Sequence, residues 1–308
     1  MNNQVKGSNE GLLTAQILLH ISILLFGFSA ILGKLIDLPG THIVWYRMLI
    51  TCISLGFFPG IIQKIRKIPR KDLVKIGGIG VIITMHWVGF YEAIKYANAS
   101  ITVSCMASMT IFTALLEPLY FRRPIKKGEI LLGIIIIGGF LLMFGFIGDQ
   151  YALGMTIALI SALLAAIFSV LNKSIVSSYD VFAITQVQFI IGWIFLTLLA
   201  PVYVYLFPGS KLLPSEMDWG YLIILALICT TLAYSMNMYA LRFVSAFANN
   251  LAFNMEPIYG ILLAYFLLRE DKEMNSGFYF GAGIILLSVV GHGIWTWRQK
   301  KRKLQLER

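Results

Sequence analysis

Apolar runs of about twenty residues recur along the whole 308-residue chain, separated by short polar connections. A run of ~20 apolar residues is the length that an α-helix needs to cross the hydrocarbon core of a bilayer. Strands of a membrane barrel would alternate polar and apolar residues, whereas these runs are apolar on every side. The pattern predicts an all-α polytopic membrane protein. Its ten transmembrane helices are expected at about 13–36, 41–62, 73–95, 98–121, 128–147, 153–173, 180–207, 218–241, 246–268 and 277–297.

The composition excludes a soluble globular domain. Hydrophobic residues make up 58% of the chain and charged residues 13%, whereas soluble domains carry roughly 25% charged residues. Too little polar surface exists to cover such a body. The net charge of +10 would suggest nucleic acid in a soluble protein. Here the basic residues lie between apolar runs and at the C-terminus, so they are read as topology signals, and no nucleic-acid partner is expected.

The distribution of lysine and arginine predicts the orientation. If the N-terminus is inside, the inner segments carry KIRKIPRK (64–71), FRRPIKK (121–127), Lys173, Arg242 and RQKKRK (298–303). The outer segments then carry only Lys34, Lys95, Lys211, Arg269 and Lys272. Since basic residues accumulate on the cytoplasmic side, we expect a multi-pass protein of the inner (plasma) membrane with both termini in the cytoplasm.

Several kinds of chemistry leave no pattern in the sequence. The three cysteines lie inside apolar runs and indicate no disulfide framework. The four histidines show no metal-ligand spacing with each other or with cysteine. No nucleophile-and-base constellation is present either. We therefore expect no metal, no cofactor and no enzymatic activity.

The two halves of the sequence repeat. Residues 20–36 align with 159–175 at an offset of 139, and residues 93–99 align with 240–246 at an offset of 147. Five spans per half is an odd number, so the second half must enter the membrane from the opposite side. The prediction is two inverted five-helix repeats, residues 1–148 and 149–297, followed by a basic cytoplasmic tail, 298–308. This architecture is common in secondary transporters that work by alternating access.

Two long segments carry a family resemblance. They are YEAIKYANASITVSCMASMTIFTALLEPLYFRR (91–123) and YALRFVSAFANNLAFNMEPIYGILLAYFLLRE (239–270). Together with ten spans and a repeat of five, they resemble EamA-type members of the drug/metabolite transporter superfamily. The resemblance implies export of amino acids, other metabolites or toxic compounds, with some members importing. It also implies a central cavity lined mainly by spans one, three, four, six, eight and nine.

The two halves depart from each other within that resemblance. The second half has Pro257 and Glu270 where the family pattern expects them, and the first half has Thr110 and Arg123 at the corresponding positions. We therefore expect the halves to differ in function.

Aromatic and small polar residues inside the spans are the candidates for substrate binding. Trp87 and Tyr91 are four residues apart and share a helix face, and Tyr234 is the repeat partner of Trp87. Such residues can wall a cavity, or they can pack helices together, and the sequence leaves both roles open. The predicted substrate-binding set is Trp87, Tyr91, Ser104, Ser108, Tyr234, Asn250 and Asn254.

Ionisable residues inside the apolar runs are the candidates for coupling and gating. An intramembrane carboxylate or histidine marks a functional site by default, so Glu256 and His86 are the coupling candidates. Pro257 bends its helix and could let it gate. Arg47 needs a partner at its depth, and Glu92 is predicted to form a structural polar pair with it. A purely structural role for Glu256 stays open.

These expectations converge on a secondary active transporter that exports small metabolites such as amino acids by alternating access. Its partners would be a small-molecule substrate, the lipid bilayer and a proton or counter-substrate. Two alternatives remain: an importer or exchanger of nucleoside-like or cofactor-like solutes, and a membrane-embedded lipid-handling enzyme. The sequence leaves the substrate, the direction, the coupling ion and the oligomeric state undetermined.

Overall fold

The computed structural model describes residues 9–125, 127–146, 149–256, 259 and part of the stretch 276–291. In the residues that the structure describes, every regular secondary-structure element is a helix. The elements are α1 (Asn9–Leu35), α2 (Gly40–Gly56), α3 (Ile61–Arg66), α4 (Arg70–Tyr96), α5 (Ala99–Met106), α6 (Met109–Phe121), α7 (Lys127–Phe146), α8 (Ala152–Ile175), α9 (Val181–Leu206), α10 (Glu216–Ala226), a π-helix (Leu227–Leu232), α11 (Ala233–Ala240), α12 (Ala246–Ala252), and 3-10 turns at Asp149–Tyr151 and Phe253–Met255.

In the described part of the chain, six helices are long and apolar enough to cross a membrane. They cover Gly11–Leu35, Arg70–Tyr96, Ala99–Phe121, Asp149–Ile175, Val181–Leu206 and Glu216–Ala240. Each coincides with a predicted span. The second predicted span corresponds to α2, which has 17 residues, and the fifth corresponds to α7, which has 20. Much of the ninth and tenth predicted spans, Pro257 included, lies outside the described residues. The total of ten spans therefore stays a prediction.

One end of the helix bundle is rich in basic residues. Lys64 forms an ion pair with Asp180 at 3.0 Å, and the Lys173 ammonium donates to the Leu241 carbonyl at 2.8 Å. These contacts bring the α2–α4, α8–α9 and α11–α12 connections together. We call this region the basic end, comprising Lys64, Arg66, Lys67, Arg70, Lys71, Lys75, Arg122, Arg123, Lys173 and Arg242.

Carboxylates gather at the opposite end. Lys211 donates to Asp37 at 2.9 Å and to Asp218 at 3.1 Å. These two hydrogen bonds raise the pKa of Lys211 above its usual value. Lys95 donates to the Ile36 carbonyl at 2.6 Å, which joins the α1–α2 connection to the end of α4. This acidic end comprises Asp37, Glu92, Lys95, Asp149, Lys211, Glu216 and Asp218.

Helix directions follow from these two ends. Helices α1 and α4 both finish at the acidic end, whereas α8 finishes at the basic end, so α8 runs antiparallel to α1. Packing partners exchange in the same way. Helix α4 of the first half packs on α8 and α9, the first two long helices of the second half. In the same way, the span formed by α10, the π-helix and α11 in the second half packs on α1 and α2 of the first half. This is the pattern expected of two halves related by a two-fold axis.

A buried carboxylate holds the start of α12. Glu117 of α6 is 2% exposed and accepts hydrogen bonds from the backbone amides of Ala246 at 3.1 Å and Phe247 at 2.7 Å. Arg123 forms an ion pair with the same carboxylate at 2.5 Å. Amides of a first helical turn have no partner inside the helix, so Glu117 supplies that partner from a different span.

Replacing Glu117 by glutamine is expected to destabilise the protein. The amide keeps one acceptor oxygen but loses the second acceptor and the charge, which costs about 1–3 kcal/mol at a buried site. Arg123→Gln removes only a pair whose basic partner is 39% exposed, so about 1 kcal/mol or less is expected. The measurement is the apparent Tm of each purified variant in detergent. Equal losses in the two variants would contradict the capping role.

Candidate functional site

A cavity of about 70 Å³ lies between the two halves of the chain. Helices of both halves line it. The first half contributes Phe26, Ser29, Arg47, His86, Trp87, Phe90, Met106 and Met109, and the second half contributes Ala165, Phe168, Ser169, Asn172, Tyr234, Asn237, Leu241, Asn249, Asn250, Phe253 and Glu256.

Aromatic rings from both halves form one wall of this cavity. Trp87 and Tyr234, the residues that the repeat offset relates, lie with ring centroids 6.3 Å apart in an edge-to-face arrangement. Phe189 packs against both, at 5.2 Å from Trp87 and 5.1 Å from Tyr234. Aromatic pairs favour such tilted geometry. The structure therefore places two of the predicted binding residues side by side.

A closed ring of hydrogen bonds fixes the orientation of Tyr234. Asn172 donates to the Tyr234 hydroxyl at 2.9 Å, that hydroxyl donates to Gln188 at 3.0 Å, and Gln188 donates to Asn172 at 2.6 Å. All three side chains are buried. Each polar group in the ring has a partner, as a buried polar network requires. The sequence-based prediction did not include Asn172 and Gln188, although amides within apolar runs were the available signal.

Arg47 is 1% exposed and lies at the boundary between the halves. Its guanidinium donates to the Tyr91 hydroxyl at 2.8 Å, to the Cys229 carbonyl at 3.2 Å and to the Thr230 hydroxyl. The guanidinium carbon also lies 3.8 Å from the centre of the Trp87 ring, which is the geometry of a cation–π contact. These hydrogen-bond partners are neutral, so they do not compensate the positive charge of the guanidinium at the cavity wall.

The structure corrects the predicted pair of Arg47 and Glu92 by giving each a different partner. Glu92 accepts hydrogen bonds from the backbone amides of Gly40 and Thr41, at the first turn of α2. Arg47 lies two turns further along α2. Amides at a helix start favour a carboxylate, and this attraction accounts for the position of Glu92. Tyr91 is fully buried behind Arg47 and does not line the cavity.

His86 connects α4 to α8. Its Nδ1 lies 2.9 Å from the Ser161 carbonyl, and the Ser161 hydroxyl donates to the His86 carbonyl at 2.8 Å. Nδ1 also lies 2.8 Å from the Ser161 hydroxyl. Because a carbonyl oxygen can only accept, the contact with the Ser161 carbonyl is a hydrogen bond when Nδ1 carries the proton. His86 lines the cavity, so it is both a helix contact and a wall residue.

The predicted amide and hydroxyl ligands are engaged with the protein itself. Asn250 lines the cavity, but its side chain donates to Thr113 at 2.7 Å and accepts from Ser169 at 2.9 Å. Asn254 donates to the Thr110 hydroxyl at 2.5 Å. The two predicted serines lie outside the cavity lining and bond to carbonyls of their own span, Ser104 to Ser100 and Ser108 to Cys105, each at 2.8 Å.

Glu256 differs from these polar residues. It is 8% exposed and lines the cavity. Among the described residues, no side chain or amide forms a hydrogen bond or ion pair with its carboxylate, and Arg47 is the charged group whose field acts on it. The cavity thus holds a guanidinium and a carboxylate among aromatic rings. No group of three metal-ligating side chains occurs in the described part of the chain.

Comparison with known proteins follows the same division into halves. The chain matches the EamA-like transporter family twice, at residues 13–145 and 152–293. It is 24% identical over 241 residues to an uncharacterized transporter of Archaeoglobus fulgidus, covering 77% of this chain and 83% of that protein. It is 23% identical over 257 residues to the uncharacterized transporter YxxF of Bacillus subtilis, covering 81% and 80%.

A solved structure shares the fold. A crystal structure superimposes with a TM-score of 0.68 at 14% sequence identity, covering 92% of this chain and 98% of that one. The two family matches, one in each half, together cover nearly the whole chain. The protein therefore belongs to the EamA-like transporter family.

Proposed function

We propose that this protein is a secondary active transporter that exports small metabolites such as amino acids by alternating access. The single observation that carries the proposal is the buried cavity lined by both halves. A substrate held between two related halves can be exposed to either side when the halves exchange their arrangements. Membership of a transporter family supports the same class of function and favours a small-molecule substrate.

The architecture behind this proposal is ten spans in two inverted repeats. It is supported by the antiparallel course of α1 and α8 and by the exchange of packing partners between the halves. We place the basic end in the cytoplasm of a cell with both termini inside, since lysine and arginine accumulate on the cytoplasmic side of the inner membrane.

An amino-acid-like substrate fits the charges of the cavity. The positive guanidinium of Arg47 would face a carboxylate, and the carboxylate of Glu256 would face an ammonium group. A substrate with both charges would compensate both buried groups at once, whereas a single charge would leave one of them uncompensated. The rings of Trp87, Tyr234 and Phe168 would contact its apolar part.

The remaining predicted residues are assigned to support. We propose that Tyr91 and Asn254 hold the helices around the cavity, because their polar atoms bond to other helices. Ser104 and Ser108 would be structural residues whose hydroxyls bond within their own span. Asn250 belongs to the wall and to this support. His86 and Glu256 remain the coupling candidates, for a proton or a counter-substrate.

Flux through reconstituted protein tests the proposal. Proteoliposomes loaded with unlabelled amino acids should take up labelled amino acid by exchange, saturably and faster than empty vesicles. Adding a proton gradient, or a second solute on the opposite side of the membrane, identifies the coupling partner. Vesicles that hold the protein in one orientation identify the direction of transport. Absence of exchange for every amino acid class, in protein that keeps its Tm, would reject this substrate class.

A further inference from the structure

The span Glu216–Ala240 contains a π-helical segment, Leu227–Leu232, between two α-helical parts. A π-turn bonds each amide to the carbonyl five residues back, so it holds one residue more than an α-turn. The parts on either side differ in their role. Helix α11 contributes Tyr234 and Asn237 to the cavity, whereas no residue of α10 lines it.

Two threonine hydroxyls bond in the register of the π-turn. Thr230 donates to the Leu225 carbonyl at 2.7 Å, and Thr231 donates to the Ala226 carbonyl at 3.0 Å, each five residues back. Three buried threonines in regular helices bond four residues back instead: Thr84 to Gly80, Thr113 to Met109 and Thr185 to Val181. The side chains of the π segment are thus adapted to the wider turn.

Helix α2 presents a polar stripe to the same segment. Arg47, Thr51 and Ser54 are spaced four and three residues apart, so they share one face. Arg47 donates to Thr230 and to the Cys229 carbonyl, and Thr51 donates to the Ala226 carbonyl at 3.2 Å. The Ser54 and Thr231 hydroxyls lie 2.9 Å apart. Each polar side chain of this stripe therefore forms at least one hydrogen bond with the segment Ala226–Thr231.

The register of this segment determines which face of α11 points at the cavity. Successive residues of an α-helix are separated by about 100° of rotation. If the π-turn became an α-turn with every residue retained, α11 would rotate by about one residue relative to α10. Tyr234 would then leave its position beside Trp87, and Asn237 would leave Asn249, to which it donates at 2.9 Å.

We infer that the polar stripe of α2 holds span 216–240 in the π register and thereby sets the face of α11 that lines the cavity. Arg47 is then a positioning residue for Tyr234 as well as a wall residue. This inference rests on the proposed function only in treating the cavity as the transport site. The geometry of the register is independent of what is transported.

Cysteine cross-linking reads the register directly. Leu19 of α1 and Ala240 of α11 pack in one buried cluster, so Leu19→Cys with Ala240→Cys should cross-link with a short thiol reagent once the three native cysteines are replaced by alanine. Thr230→Val with Thr231→Val removes the π-specific hydroxyls. It should shift the register equilibrium roughly tenfold towards α, because each buried hydroxyl contact contributes a factor of about three to five. Pairing Leu19→Cys with Tyr239→Cys or Leu241→Cys instead reads the α register, and the ratio of cross-linking at 239 or 241 to that at 240 should rise about tenfold.

Two further variants complete the test. Thr185→Val removes a buried hydroxyl that bonds four residues back in α9, and it should leave the cross-link at position 240. Deleting Ile228, which is 42% exposed, removes the extra residue and should also retain that cross-link, since α11 keeps its face. If the double variant fails to accumulate, the position of the cross-link in the deletion variant tests the inference by itself.

Two results would overturn the inference: an unchanged ratio of cross-linking at positions 239, 240 and 241 in the double variant, or a displaced cross-link in the deletion variant. Exchange of labelled amino acids by the cysteine-replaced parent is measured in the same preparations. If that parent exchanges nothing, the proposed function fails while the cross-links still report the register.

Discussion

Glu256→Gln is expected to lower transport at least about 30-fold while the protein remains folded. In the proposed complex the carboxylate pairs with a substrate cation inside a buried cavity, and removing one partner of such a pair costs about 2 kcal/mol or more. Glutamine has nearly the same shape, so the packing around it persists. It also removes the cost of ionising a buried carboxyl group, so the apparent Tm should stay the same or rise. The measurement is the initial rate of amino-acid exchange in proteoliposomes.

Glu216→Gln is the matched control. Glu216 is exposed in the first turn of α10, so the same chemical change there should leave the exchange rate unaltered. Normal exchange by Glu256→Gln at an unchanged Tm would remove Glu256 from the substrate site. The cation contact would then have to come from the aromatic rings alone.

The membrane-spanning helices were predictable because their signal is local. A run of apolar residues long enough to cross a bilayer specifies a helix without any knowledge of its neighbours, and six such helices are present where the sequence placed them. The π-helix in span 216–240 is different. One extra residue in a turn leaves the apolar run unchanged. We infer that the π-turn is held by the stripe of polar residues on α2, which is distant in sequence.

The repeat offset related two residues that are neighbours in the structure, whereas depth in the membrane did not. Trp87 and Tyr234 were paired through the 147-residue offset, and the structure places their rings together at the cavity. Arg47 and Glu92 were paired by depth alone. Depth ignores the direction in which a side chain points, and Arg47 points towards Cys229 and Thr230 of the other half.

Small polar residues on one helix face were an ambiguous signal for the site. Ser104 and Ser108 satisfy their hydroxyls within their own span, as serine commonly does in an apolar environment. An amide side chain has more donors and acceptors than the backbone beside it can satisfy. Asn172 and Gln188 therefore reach across helices, and their position in the network depends on the meeting of α8, α9 and α11 at Tyr234.

The close approach of α4 and α9 brings one backbone from each half into contact at Gly80. A Cβ atom on Gly80 would overlap the carbonyl oxygen of Gln188 and lie 2.7 Å from its Cα. Non-bonded carbons prefer about 3.5–4.0 Å, and a helix backbone cannot yield as a side-chain tip can. Gln188 also belongs to the ring of hydrogen bonds that orients Tyr234. Any side chain at position 80 therefore separates the halves and displaces part of the cavity wall.

Gly80→Ala is accordingly expected to destabilise the protein by about 3 kcal/mol or more, the upper range for overpacking, and to reduce exchange together with the apparent Tm. Gly78→Ala is the control in the same helix, because no atom outside the local helix lies within 4 Å of the added methyl. There alanine should be neutral or stabilising by about 0.5–1 kcal/mol, since glycine disfavours a helix interior. Equal Tm values for the two variants would show that α4 and α9 are less closely packed than this contact requires.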